Sequence, residues 1–115
     1  ATLIKKINHN TEEISNPNIV KVVFDKQGRA LYFSRHAIPF VRSASQKQTE
    51  HYKHIGMYGY RWEILQQLIR LPKSKLEEIE SLEQLRWLEN GFKIHVAECF
   101  YESIAIDTPE DLLKI

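Results

Sequence analysis

Ile19-Val20-Lys21-Val22-Val23-Phe24, then Asp25-Lys26-Gln27-Gly28, then Ala30-Leu31-Tyr32-Phe33-Ser34-Arg35 is the stretch on which the fold turns. The first run is β-branched and fits a pleated strand. The middle four residues form a turn, with Gly28 suited to positive φ. The third run returns alongside the first, so the whole predicts a β-hairpin with a four-residue loop. Upstream, Asn16-Pro17-Asn18 breaks a short helical turn over Thr11–Ile14, and residues 2–7 predict a first strand. Downstream, Ile38-Pro39-Phe40 stops the hairpin, and residues 42–51 lack apolar periodicity and read as an exposed loop. Lys53 to Tyr60 predicts another strand, and Arg61 to Arg70 a helix ended by Leu71-Pro72. Ser74 with Glu77 three residues on matches a capping box. It opens one helix over 75–90, striped by Leu76, Ile79, Leu82, Leu85 and Leu88 and closed by Gly91. Residues 93–98 and 102–106 predict two more short strands. A last helix is capped by Thr108, with Pro109 at its first position.

Strands interleaved with helices predict an α/β architecture. The helices are too few for a complete doubly wound sheet, so a partial α/β domain is expected over 1–115. The composition of the 115 residues, 43% apolar and 27% charged, fits a soluble globular chain. No apolar run reaches the roughly 18 residues that span a bilayer. One cysteine excludes an intrachain disulfide framework, and a reducing cytoplasm is the natural expectation. A net charge of +1 favours neither nucleic acid nor an anionic membrane as a partner. The chain opens at Ala1, straight into a strand, as expected of a mature product or a fragment.

Four local features could carry chemistry. In a strand over 53–60, alternation puts His54, Gly56, Tyr58 and Tyr60 on one face. His54 and Tyr58 would lie roughly 13 Å apart, flanking a gap at Gly56 that could floor a pocket for an elongated polar ligand. Packing of Gly56 under a crossing helix is the plainer alternative. Arg35 shares a strand face with Leu31 and Phe33, and a guanidinium ending an apolar face wants a carboxylate or phosphate; a structural ion pair or a snorkelling side chain is the plainer alternative. Glu83 and Gln84 fall beside the apolar helix stripe, at a cleft edge or on a solvated face. Asp107 lies between a strand end and a helix cap, where a carboxylate can hold Mg²⁺ or simply fill a turn. His51 and His54 match H-x-x-H only loosely. No metal-binding Cys/His spacing, Walker loop, G-x-G-x-x-G or G-x-S-x-G occurs.

These features occur together in a recognisable order. Asn16-Pro17-Asn18, Val20-Lys21-Val22-Val23, Ala30 to Arg35 with Ile38-Pro39-Phe40, His54-Ile55-Gly56-Met57-Tyr58-Gly59-Tyr60-Arg61, Leu82-Glu83-Gln84-Leu85-Arg86 and Ile106-Asp107-Thr108-Pro109-Glu110-Asp111-Leu112 follow one another along nearly the whole chain. The chain resembles the C-terminal half of the CMP-Kdo synthetases, the 3-deoxy-manno-octulosonate cytidylyltransferases. The resemblance implies a nucleotide-diphosphosugar transferase fold, a Rossmann-like three-layer α/β sandwich, and a homodimer. It implies transfer of CMP from CTP to the acidic sugar Kdo with release of pyrophosphate, for lipopolysaccharide assembly in the cytoplasm. It places Arg35, His54, Tyr58, Glu83 and Gln84 against the sugar acid and makes Asp107 one of two aspartates that hold Mg²⁺. The sugar hydroxyl attacks the α-phosphorus in line while metal and basic groups take up negative charge.

The family's N-terminal half, with its phosphate loop, cytosine pocket and second metal aspartate, has no counterpart in these residues. The 115 residues alone are therefore expected to be inactive. Smaller departures are a short linker between Phe40 and Tyr52 and Ala105 where a glycine often stands. The alternatives are activation of another acidic sugar by the same fold, and a non-catalytic module in which the hairpin serves dimerisation.

Overall fold

A computed structural model describes residues 1–7, 11–43 and 50–100. The expected strand 102–106, the last helix and Asp107 lie outside the described residues, as does most of the loop expected over 42–51. The elements run β1 (Thr2–Ile7), α1 (Thr11–Ser15), β2 (Lys21–Phe24), β3 (Ala30–Ser34), β4 (His51–Tyr58), α2 (Trp62–Leu68), α3 (Lys75–Glu80), α4 (Gln84–Glu89) and β5 (Val96–Glu98). The strands form one sheet in the order β3-β2-β4-β1-β5. Its pairs are antiparallel except β1 with β5. Among the described residues no helix is long and apolar enough to cross a membrane.

The hairpin forms as its residues dictate. Gly28 takes φ +75°, and the Asp25 carboxylate accepts the backbone N–H groups of Gln27 and Arg29, both at 2.9 Å. That closes the turn with the side chain that favours it. The hairpin tip then reaches the far side of the sheet. Ala30 N–H donates to the Ile94 carbonyl and Val96 N–H to the Gly28 carbonyl, each at 2.8 Å, and Arg29 bridges His95. The two edges of the sheet thus meet at one point, so the sheet curls around its own contents. Inside lie Ile4, Val22, Phe33, Leu68, Leu82, Leu85, Trp87 and Ile94. Burying side chains of this size is worth about 1.5–3 kcal/mol each, and it drives the collapse of α4 onto the sheet.

Several local expectations are corrected. β4 starts at His51, not Lys53, because His51 pairs with Ile7 and its buried ring donates from Nε2 to the Pro39 carbonyl at 3.0 Å. It ends at Tyr58, not Tyr60. Leu31 does not share the face of Phe33. Val23 pairs with Tyr32 and Phe24 with Ala30, so Leu31 is the extra residue of a bulge and turns outward. The helix expected over 75–90 is two helices. Ser81 takes the left-handed conformation, φ 55° and ψ 47°, and ends α3 one turn before α4 begins. Ile79 is 67% exposed in consequence and drops out of the stripe, while Leu82 and Leu85 remain buried. The start of α3 is as expected: Glu77 reaches back to accept the Ser74 N–H at 3.1 Å. Gly91, at φ +84°, follows α4.

Candidate functional site

His54 lies near the middle of β4, opposite Ile4 of β1. Beyond it the ladder is irregular. Leu3 pairs with Ile55, yet the next residue of β1, Thr2, pairs with Tyr58. Gly56 and Met57 are looped out, and a side chain at Gly56 would meet nothing within 4 Å. Gly56 therefore makes no room for a crossing helix. The bulge instead draws Tyr58 back toward His54. The two rings stand 5.2 Å apart between centroids, where a regular strand would hold the residues far apart. The expected gap between them is closed.

The rings form a continuous cluster. Phe33 packs on His54 at 5.0 Å, and Tyr58 touches Trp87 at 5.2 Å and Tyr60 at 5.8 Å. Such edge-to-face and offset contacts fix ring orientation as well as position. Burial lowers the His54 pKa to about 4, so its imidazole is neutral at physiological pH. Burial, then the neighbouring Tyr60 and Glu83, push the Tyr58 phenol upward, so it stays a protonated donor. Glu83 is exposed at the start of α4, and its charge also raises Tyr60. A neutral imidazole and a phenol are thus in contact, and the charge of a nearby carboxylate acts on the phenol, a set suited to hydroxyl groups of a polar ligand.

Arg35 follows β3 and is anchored at the break between α3 and α4. Its Nε donates to the Glu80 carbonyl at 2.8 Å, and Nη1 and Nη2 donate to the Pro17 and Ser81 carbonyls, each at 3.0 Å. The hydrogen-bond partners of this guanidinium are backbone oxygens, which is neither the structural ion pair nor the snorkelling side chain expected as alternatives. The fork carries five N–H donors, and three bonds leave it capacity for an anion. The Glu80 carboxylate accepts the Arg35 N–H and the Tyr32 hydroxyl, both at 3.1 Å. Behind them Lys21, 0% exposed, donates from Nζ to the Arg35 carbonyl at 2.8 Å and the Asn16 carbonyl at 2.6 Å.

The structure therefore brings His54 and Tyr58 together, with Glu83 near enough for its charge to act on Tyr58, and sets Arg35 at the same helix break that carries Glu83 and the buried Gln84. It does not place all five around one of the described cavities. A cavity of about 420 Å³ is lined by Tyr58, Tyr60, Trp87 and Phe92, and another of about 460 Å³ by Ser81 and Glu83; Arg35, His54 and Gln84 line neither. Among the described residues no cluster of three His, Cys, Asp or Glu side chains could hold a metal. The sequence reading missed Thr2, Lys21 and Glu80. Two of these left a signal: Thr2 alternates onto the face of Ile4, and Lys21 interrupts an apolar run, so each is a polar residue at an inward position.

Comparison with known proteins bears on this arrangement. The chain is 58% identical to the 3-deoxy-manno-octulosonate cytidylyltransferase of Thermodesulfovibrio yellowstonii, over 96% of this chain and 45% of that protein. It is 52% identical to the enzyme of the same name from Cytophaga hutchinsonii, over 100% of this chain and 48% of that protein. The chain thus spans about half the length of the curated relatives it matches. Among solved structures, CMP:2-keto-3-deoxy-manno-octonic acid synthetase complexed with CTP superposes with a TM-score of 0.83 at 41% identity, over 98% of this chain and 45% of that one. The mixed α/β sheet described above is therefore the fold of that part of a nucleotidyltransferase. The cytidylyltransferase family model matches residues 1–94, and the chain belongs to the cytidylyltransferase family.

Proposed function

We propose that these 115 residues form the sugar-acid side of a cytidylyltransferase that transfers CMP from CTP to Kdo and releases pyrophosphate, in the cytoplasm, for lipopolysaccharide assembly. The observation that carries the reading is the packing of neutral His54 against protonated Tyr58, with the charge of Glu83 acting on that phenol, in a chain 58% identical to a protein named for that reaction. In this reading Arg35 takes the sugar carboxylate with its remaining donors, as a planar fork suits a planar anion. His54, Tyr58, Glu83 and Gln84 hold hydroxyl groups. Their role is orientation: they hold the attacking hydroxyl in line with the α-phosphorus, and positioning of this kind supplies several kcal/mol of the barrier reduction. Magnesium belongs to the proposal, held by Asp107 and a second aspartate, and supplies charge neutralisation at the phosphates. A homodimer belongs to it as well.

The test is a chimera. This chain replaces the matching segment of the Thermodesulfovibrio yellowstonii relative, and CMP-sugar and pyrophosphate are followed with CTP and either Kdo or sialic acid. Turnover of Kdo, lost in Arg35→Ala and in Asp107→Asn, is expected, and the unfused 115 residues are expected to give none. A folded chimera that uses sialic acid and ignores Kdo would overturn the substrate. Normal turnover in Arg35→Ala would overturn the site.

A further inference from the structure

Thr2 lies on β1 with its hydroxyl among three polar atoms. Oγ1 is 2.8 Å from His54 Nε2, 2.8 Å from the Met57 carbonyl oxygen and 3.3 Å from the Ile55 carbonyl oxygen. A threonine hydroxyl has one proton to give, and carbonyl oxygens can only accept. If that proton went to the imidazole, Oγ1 would face two carbonyl oxygens lone pair to lone pair in a site that is 2% exposed. Leaving such groups unpaired when buried costs more than the bond gained. The proton therefore goes to the carbonyls that the β4 bulge turns inward, and Oγ1 accepts from the imidazole. We infer that Thr2 holds His54 as the Nε2–H tautomer, leaving Nδ1 as the acceptor that the ring offers to a hydroxyl of the sugar acid.

Three observations support this. Among the described residues Nδ1 has no hydrogen-bond partner, so its lone pair is available. The ring is wedged between Phe33 and Tyr58, which fixes the direction of that lone pair. Burial keeps the imidazole uncharged, so it does not become a double donor near neutrality. The consequence is selective. An acceptor at this position takes a hydroxyl and repels a carboxylate oxygen, which complements Arg35, whose fork takes the anion. Thr2 is a positioning residue that acts through His54. The ligand half of the inference rests on the sugar-acid reading above; the tautomer half does not.

Long-range proton–nitrogen correlation spectra of the full 115-residue chain at neutral pH read the tautomer directly, with no variant required. The expected pattern for His54 is a protonated Nε2 and a bare Nδ1. Thr2→Val removes the acceptor and is expected to give a tautomer mixture; Thr2→Ser is expected to restore the original pattern. A protonated Nδ1 in the unsubstituted chain, or an unchanged pattern in Thr2→Val, overturns the inference and leaves the sugar-acid reading intact. Kdo is then titrated in. The expected response is a shift of the Nδ1 resonance with Nε2 unmoved, and an affinity about tenfold weaker in Thr2→Val. Shifts at Tyr58 and around Glu83 without any at Nδ1 overturn the acceptor role. No shift anywhere overturns the sugar-acid reading for this chain, while the tautomer result stands by itself.

Discussion

Apart from the Thr2 hydroxyl, the neighbours packed on His54 are rings, with Phe33 at 5.0 Å and Tyr58 at 5.2 Å, whereas the guanidinium of Arg35 meets the carbonyl oxygens of Pro17, Glu80 and Ser81. One side of the candidate site is assembled by burial, and its titratable groups are neutral. The other is assembled by hydrogen bonds to fixed backbone, and its groups carry charge. Apolar packing is non-directional and sums over area, so it tolerates small displacements. Hydrogen bonds from a guanidinium are directional, so they transmit the geometry of the helix break to the site. The two sides should therefore break in different ways.

The largest effect is expected at Phe33, which is 0% exposed and joins the hydrophobic core to His54. Phe33→Ala should lower unfolding free energy by about 3–5 kcal/mol, the usual cost of emptying an aromatic site. Urea denaturation measures it. Phe33→Leu, at about 1–2 kcal/mol, keeps enough core for the His54 resonances to be compared. If His54 keeps its environment in Phe33→Leu while the core loosens, the ring side is not built on that contact.

On the polar side the counterpart is Lys21. Its ammonium is buried and donates to two carbonyl oxygens, and burial, followed by the charge of Arg35, lowers its pKa. Lys21→Ala removes the stem and the donor together and should cost about 3 kcal/mol. Lys21→Met keeps the stem. Both carbonyls lose this donor, but that of Asn16 still accepts the Ile19 N–H at 3.0 Å. The release of a desolvated charge offsets part of that loss, and about 1 kcal/mol is expected. Equal losses in the two variants would show that the ammonium, not packing of the stem, is what matters at Lys21.

Acid should separate the sides without any substitution. The folded pKa of His54 is lowered from 6.5 to about 4 by burial, so between those values the unfolded chain binds the extra proton. Its share of stability is full above about pH 6.5 and is lost as pH falls toward 4. Glu80 behaves differently. Burial alone would raise its pKa, but hydrogen bonds from Ser34, the Arg35 N–H and Tyr32, with the charge of Arg35, outweigh burial and leave it below 4.5. Its share persists above that ordinary value and is lost only as pH falls through the lower folded one. Denaturation curves at stepped pH should show the ring side failing first. His54→Gln should flatten the upper part of the profile, and Glu80→Gln the lower part.

How much of this was legible in the sequence follows the same division. Local rules found the hairpin with Gly28, the Glu77 reach at Ser74 and Gly91 after α4, because each depends on a few adjacent residues. His54, Tyr58 and Glu83 were legible as candidates, and the first two rings do meet. Their distance was not, because alternation assumes a regular ladder, and the bulge at Gly56 and Met57 depends on pairing with Thr2, more than fifty positions away. Leu31 failed for the same reason: an extra residue reverses the face of everything on one side of it. Arg35 was visible as a cation ending an apolar face, but its carbonyl partners were not, since backbone oxygen has no sequence signature.

The smallest effect tests the element that the sequence reading joined and the structure divides. Ser81 sits at φ 55° and ψ 47°, a region that costs a residue with a Cβ about 1 kcal/mol or more. Ser81→Gly should therefore stabilise by about 0.5 kcal/mol, after the extra chain entropy of glycine in the unfolded state is subtracted. A thermal melt beside Ser81→Ala resolves the sign. In an unbroken helix the Glu80 and Ser81 carbonyls would accept the N–H groups four residues on, from Gln84 and Leu85. Leu85 N–H instead donates to Leu82, and both carbonyls face Arg35. Destabilisation by glycine would mean that the helix runs through Ser81. Arg35 would then have lost two of its three anchors, and with them the reason for its fork to stand beside Glu83.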